Sequence, residues 1–462
     1  MFFEDTIAAI STPLGIGAVS MVRISGKNSV EIADKIFSGR VKPSVAESHS
    51  ILFGFLIDPK NSEEIDSVLL SVMRSPRSYT GFDSIEITCH GGVVNTKRVL
   101  DLVLSQGARL AEPGEFTKLA YLNGKIDLSQ VEAIADIIHA KTEGARKASM
   151  SQFIGSLRNE VLNLRNQLIQ LCSLLEIDLD FAEENLLIID TTKINDQLSA
   201  VEKQIKKLLS TYNTGHIIRE GARVSILGKP NVGKSSLMNA LLQKNRAIVS
   251  HLPGTTRDYI EETIDVSGIP FTFVDTAGIR DTKDDIEIHG IHFSKENILS
   301  SDLIIVMFDI SSPYDADDRR VKAVIDDAML QNKTVKTIYV GNKTDLGEFD
   351  RFKFASHIGS DFIRVSAKSQ SGIDELKTKI GVLFNSDVSF NSPMISRLRH
   401  KIALEKSLSS LEIAKRSLAD NLSYEFVALD IHNAIHALAE IVGEVSSDDV
   451  LNNIFSSFCI GK

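Results

Sequence analysis

The chain has 462 residues, with 51 Lys and Arg against 61 Asp and Glu, for a net charge of −10. That balance excludes an extended nucleic-acid-binding surface, so any RNA contact is local or made through a partner. Hydrophobic residues make up 43%, enough for several cores, and at about 150 residues per domain the length implies roughly three domains. The three cysteines, Cys89, Cys172 and Cys459, are far apart. They form no disulfide framework and no metal-ligand spacing, which fits a reducing, cytoplasmic setting.

The opening residues Met1-Phe2-Phe3-Glu4-Asp5-Thr6 are acidic where a secretory signal needs basic residues. Residues 1–123 then alternate short apolar runs with turns. Strands are expected over Ala18–Ile24, Ile51–Ile57, Asp66–Met73 and Ser84–Cys89, with helices near 28–37 and 92–106. This pattern predicts an α+β domain. From Leu128 to Leu209 the period becomes helical, with Leu157, Val161, Leu164, Leu168, Leu171 and Leu175 spaced three and four apart. Strands and helices alternate over 221–384, and the longest apolar runs there, such as Leu303–Phe308, are far too short to span a bilayer. Helical patterns resume after Pro393, over Ile402–Leu418 and Phe426–Val442. The fold class is therefore multidomain: an α+β domain (1–123), a discontinuous helical domain (124–220 and 385–462), and an α/β domain (221–384) inserted into it. Insertion is favoured because an α/β domain can have its ends close together.

The inserted domain carries the chemistry. Gly228–Ser235 reads GKPNVGKS between an apolar run, Val224-Ser225-Ile226-Leu227, and a helical pattern. This is a phosphate-binding loop in its strand–loop–helix context, marking a Ras-like P-loop domain. Gly228, Asn231, Val232, Gly233, Lys234, Ser235 and Ser236 form the phosphate set. Lys234 reaches the β/γ oxygens, Ser235 takes a Mg²⁺ position, and the helix N-terminus adds partial positive charge. Downstream come Thr255-Thr256-Arg257-Asp258, Asp275-Thr276-Ala277-Gly278, Asn342-Lys343-Thr344-Asp345 and Ser366-Ala367-Lys368. Thr256 can complete the Mg²⁺ shell, Asp275 can hold the ion through water, and Gly278 can offer its N–H to the γ-phosphate. Asp345 presents two acceptors to the N1–H and N2–H₂ donors of guanine, a pair that adenine lacks. Asn342 and Lys343 brace the base, and Ala367 can offer an N–H to guanine O6. The expected ligand is GTP.

Small signalling GTPases orient the attacking water with a glutamine just after the D-x-x-G segment. Here that residue is Ile279, which cannot hydrogen-bond to water. The acidic stretch Asp281–Glu287 is the nearest alternative. Asn231 can face the β/γ bridge, where a monovalent cation would neutralise developing charge as an arginine finger does elsewhere. A bracing role for Asn231 is the other reading.

Several further segments carry a family resemblance. They are Asp5-Thr6-Ile7-Ala8-Ala9, Val22-Arg23-Ile24-Ser25-Gly26, Ser78-Tyr79-Thr80-Gly81, Pro113-Gly114-Glu115-Phe116-Thr117, Leu122–Leu128 and the terminal Phe458-Cys459-Ile460-Gly461-Lys462. With the nucleotide segments, they make the chain resemble tRNA modification GTPases of the MnmE (TrmE) family along essentially its full length. The resemblance implies a homodimer formed through the N-terminal domain, which would bind 5,10-methylene- or 5-formyl-tetrahydrofolate through Arg23, Glu86, Lys125 and Lys462. It implies a flavoprotein partner of the MnmG (GidA) type carrying FAD and using NADH. Together they would install an aminomethyl or carboxymethylaminomethyl group on C5 of the wobble uridine of certain tRNAs, with tRNA held mainly by the partner. It also implies K⁺ activation, with ligands from Asn231, Ser250, Leu252 and Thr255, and Glu287 orienting the attacking water. Cys459 is a possible carrier of a one-carbon adduct, against a plain structural role. The chain departs from the family's usual Pro-Pro-Gly-Arg-Gly run at Thr12-Pro13-Leu14-Gly15-Ile16-Gly17, and has Phe82 where an acidic residue is usual. A ribosome-assembly or regulatory switch GTPase is the alternative function, although such a chain would typically carry a basic RNA-binding domain after the GTPase.

Overall fold

Alternation of buried and exposed side chains builds the first sheet, as a period of two requires. In the computed structural model, residues 5–180, 191–243, 262–274, 300–331, 335–347, 356–358, 362–384, 389–445 and 448–462 are described. The chain divides into two compact units, one of residues 1–135 with 438–462, the other of 136–437.

The first unit runs β1 (Ile7–Ile10), β2 (Val19–Ser25), α1 (Ser29–Ile36), β3 (Phe37–Gly39), β4 (Ser50–Asp58), β5 (Glu63–Met73), β6 (Ser84–His90), α2 (Val93–Ser105), β7 (Arg109–Leu110) and α3 (Glu115–Leu122). Its seven-stranded sheet has the order β3-β4-β5-β6-β2-β1-β7. Pairing is antiparallel except between β1 and β7. One face packs Val22, Ile24, Leu56, Leu70, Ile85 and Ile87 against Ile32, Val99 and Val103 of α1 and α2. Ile51, Phe53, Phe55 and Leu69 point the other way and stay exposed. Phe53 and Leu69 are cross-strand partners. A carboxyl-terminal helix, Asp448–Ser456, packs on α3, and the tail that follows reaches β1.

The helices of the second unit follow from stripes. After α4 (Leu128–His139) come α5 (Glu143–Ile154), α6 (Ser156–Asp180), α7 (Thr191–Ser210) and α8 (Tyr212–Glu220). Thr142 caps α5 by accepting from Ala145 N at 3.2 Å. Leu157, Val161, Leu164, Leu168, Leu171 and Leu175 line one side of α6 and are all buried, each contributing roughly 1.5–3 kcal/mol. The α/β segment follows as β8 (Ala222–Leu227), α9 (Lys234–Gln243), β9 (Glu262–Val266), β10 (Ile269–Val274), β11 (Leu303–Asp309), α10 (Ala316–Gln331), β12 (Lys336–Asn342), β13 (Ile363–Arg364) and α11 (Ile373–Phe384). Helices α12 (Leu398–Ala419) and α13 (Tyr424–Val442) close the series. Helix α12 lies along α7 and α6 packs on α7, so helical segments on either side of the α/β segment share one bundle. The six-stranded sheet has the order β13-β12-β11-β8-β10-β9, parallel except at β9. Strand β11 is buried along its whole length, as the centre of a sheet covered on both faces requires. No described helix is long and apolar enough to cross a membrane.

Candidate functional site

Parallel strands deliver their loops to one edge of the sheet, where open α/β folds bind ligands. Gly228–Ser235 leaves β8 and enters α9. Lys234 folds back into its own loop, donating to the carbonyls of Gly228 at 2.9 Å and Lys229 at 3.2 Å. Burial pushes its ammonium below the usual lysine range, and among the described residues no carboxylate pairs with it. A half-buried cation facing carbonyls fits an anionic ligand. Asn231 adopts a positive φ of 61°. Gly233 has a φ of 103°, and a Cβ there would stand 2.4 Å from Asn342 Nδ2, so this position accepts only glycine. Val232 is buried, Ser235 half-buried and Ser236 exposed at the start of α9.

Asn342, 2% exposed at the end of β12, ties the site together. Its Nδ2 donates to Val232 O at 2.7 Å, and its Oδ1 accepts from Ala367 N at 3.0 Å. One amide thus joins the phosphate loop to the Ser366-Ala367-Lys368 loop. Ser366 Oγ donates to Asp345 Oδ1 at 2.6 Å, and this bond holds the Asp345 carboxyl below its usual range. The Asp345 carboxylate and the exposed Lys368 stand at the rim. Lys343, in the left-handed region at φ 72°, donates to Asp309 Oδ2 at 2.6 Å.

Two contacts were not anticipated. Asp309, at the end of β11, anchors Lys343. Lys229, inside the phosphate loop, binds Asp315 at 2.8 Å and the buried Asp318 at 2.9 Å. Asp318 lies in the first turn of α10 and Asp315 just precedes that helix. Acidic residues at a helix start were the only signal, and they normally read as helix-dipole partners. Ser250, Leu252, Thr255, Thr256, Asp275, Gly278 and Glu287 lie outside the described residues.

A second constellation forms in the first unit. Arg23 on β2 and Glu86 on β6 are register partners. Arg23 Nε and Nη2 both donate to Glu86 Oε1, at 3.0 and 2.9 Å, which leaves Oε2 for another donor. Arg23 also donates to Gly461 O at 3.4 Å and stands 5.6 Å from the ring centres of both Tyr79 and Phe116. Tyr79 shares a 2.9 Å hydrogen bond with Thr117. Gly461, at φ 100°, packs so close to β1 that a Cβ would stand 2.2 Å from Ile10 O. Ser11 Oγ donates to Gly461 O at 3.1 Å. Lys462 is thereby drawn near Arg23; burial and then the Arg23 charge push its ammonium below the usual range. Lys125 stays exposed on the turn after α3, and among the described residues no hydrogen bond ties its side chain to this group. Cys459 is exposed. Ile16 is fully exposed, and Phe82 packs against the Ile7, Ala9 and Phe116 cluster.

These features match one family in both units. The model described as "GTP-binding protein TrmE N-terminus" matches residues 6–125, and that described as "MnmE helical domain" matches 128–459. The tRNA modification GTPase MnmE of Carboxydothermus hydrogenoformans is 42% identical over 466 residues, covering 99% of this chain and 100% of its own. That of Acetivibrio thermocellus is also 42% identical over 466 residues, covering 100% of both chains. Among solved structures, the G domain of the T. maritima FeoB iron transporter is 26% identical, covers 36% of this chain and 99% of its own, and superposes with a TM-score of 0.27. The chain belongs to the MnmE family of tRNA modification GTPases.

Proposed function

We propose that this chain is a Mg²⁺-dependent, K⁺-activated GTPase. With an FAD-containing, NADH-using partner of the MnmG/GidA type, it uses a tetrahydrofolate one-carbon unit to modify C5 of the wobble uridine of certain tRNAs. The observation that carries the GTPase reading is Asn342, which joins the phosphate loop to the Ala367 loop through both ends of its amide. In this reading Lys234 neutralises β/γ oxygens, and its partners Gly228 O and Lys229 O yield it to the phosphates. Ser235 and Thr256 would hold Mg²⁺, with Asp275 reaching it through water; Asn231, Ser250, Leu252 and Thr255 would hold K⁺; Gly278 would donate to the γ-phosphate. Both ions supply positive charge against the charge that develops on the phosphates. Asp345, held by Ser366, accepts from guanine, and Glu287 orients the attacking water.

The folate reading rests on Arg23, Glu86 and Lys462, with Lys125 at the rim. Glu86 Oε2 can accept from the aminopyrimidine edge, and the two cations can pair with carboxylates. Folate would supply the one-carbon unit, and Tyr79 and Phe116 flank the Arg23 guanidinium that would meet its polar groups. A homodimer is supported by the exposed Ile51, Phe53, Phe55 and Leu69, since a monomer seldom leaves such a patch bare. The net charge of −10 favours tRNA bound mainly through the partner.

Nucleoside mass spectrometry on tRNA from cells lacking this chain tests the reading. Loss of C5-aminomethyl-type wobble uridines, restored by the full chain but not by one truncated before Cys459, is the expected result. An unchanged profile would move a purely regulatory GTPase to the front.

A further inference from the structure

Away from both sites, α6 and α13 bring together three groups with metal-binding chemistry. Cys172 and Glu176 sit one turn apart on α6 and share a face. His432 comes from α13, at a sequence separation of 256 from Glu176. His432 Nε2 lies 3.2 Å from Glu176 Oε1, and Cys172 Sγ lies 3.9 Å from the same oxygen. The sulfur, imidazole nitrogen and carboxylate oxygen all fall within 4.8 Å of one another. Zinc bonds of about 2.3 Å to sulfur and about 2.0–2.2 Å to nitrogen and oxygen, at tetrahedral angles, set ligand atoms about 3.5 Å apart. The two separations to Glu176 Oε1 bracket that spacing.

Cys172 is 3% exposed, whereas the Glu176 and His432 side chains reach solvent at 55% and 57%. The sulfur thus forms the floor of an open-mouthed site whose fourth position faces water. A thiolate and an imidazole favour a borderline-soft divalent ion over Mg²⁺ or Ca²⁺. We propose that Cys172, Glu176 and His432 bind a divalent ion of the Zn²⁺ class that staples α6 to α13. Among the described residues the thiol makes weak contacts, to Ala428 O at 3.7 Å and to Glu176. Ion binding replaces them with a metal–sulfur bond, and the thiol proton leaves to solvent.

The test titrates Co²⁺ into the full chain, free of nucleotide and Mg²⁺. A thiolate-to-cobalt charge-transfer band, saturating at one equivalent and bleached by Zn²⁺, is expected. Cys172→Ala removes the band and Cys459→Ser keeps it. His432→Gln, at an exposed position, leaves the metal-free melting temperature unchanged, weakens Co²⁺ binding at least about tenfold, and abolishes the rise in melting temperature that Zn²⁺ causes in the parent chain. Absence of the band, its survival in Cys172→Ala, or binding indifferent to His432→Gln each overturns the site.

Discussion

The two candidate sites meet negative charge in opposite ways. At the sheet edge of the second unit, Lys234 is half-buried among carbonyls, with no carboxylate paired to it among the described residues. At β2–β6 of the first unit, Arg23 is already neutralised by Glu86, and Lys462 adds charge. The first arrangement suits a polyanion that supplies all the countercharge itself. The second suits a ligand with both donors and acceptors, because it offers a free carboxylate oxygen beside two cations. Among the described residues, the candidate phosphate site is thus built from loop backbone and the Lys234 cation, and the mixed site from a cross-strand ion pair sealed by the chain's own tail.

Substitutions can break or sharpen that contrast. The largest effect is expected from Glu287→Ala, which should lower the GTP turnover rate by about 10²–10⁴-fold while equilibrium binding of GTP holds; unchanged turnover would hand water positioning to another residue. Asn342→Ala strands the buried Val232 carbonyl and Ala367 N–H, at about 1–3 kcal/mol each. A melting curve should show a loss of about 2–4 kcal/mol, and a loss below about 1 kcal/mol would mean that the two loops are not coupled through this amide. Lys234→Ala should weaken GTP binding roughly 10- to 100-fold, as expected for a charge-assisted contact, with folate binding unaffected. Glu86→Gln should do the converse, weakening tetrahydrofolate roughly fivefold while GTP turnover stays level. If either variant moved both ligands equally in isothermal titration, the two sites would have to be treated as one.

The smallest effect is a pH dependence. Burial opposes ionisation of Asp309, but the Lys343 ammonium and the Ser311 hydroxyl and amide outweigh it, leaving the carboxyl below its usual range. A carboxyl lowered by folding contributes stability that is present above its ordinary value of about 4 and is lost as pH falls through the lowered one. Acid titration of stability should therefore flatten in Lys343→Met; an unaltered acid limb would assign the effect to other carboxylates.

Among the described residues, the segments 228–235, 342–345 and 366–368 were legible in the chain because each is a short run set by its local backbone shape. The GKPNVGKS run needs only its strand and helix to present N–H groups, and Gly233 can be named a required glycine from the motif alone. The strands of the first sheet were legible for a similar reason, since alternation such as that of Ile51, Phe53 and Phe55 repeats every second residue. The anchors were not. Asp309 and Asp318 look like ordinary acidic residues at a strand end and a helix start, and only packing brings them to Lys343 and Lys229. Cys172, Glu176 and His432 show no ligand spacing along the chain, because a helix–helix contact supplies the third group.

The sequence by itself determined the α+β, helical and α/β segments, the guanine-nucleotide motifs and the family, because periodicity and contiguous motifs act over a few residues. Tertiary structure alone decided that Asn342 would join two loops, that residues 438–462 would pack with the N-terminal sheet, and that Gly461 would seat Lys462 beside Arg23. Those outcomes depend on strand order and on close backbone approach between distant segments, which no local pattern encodes.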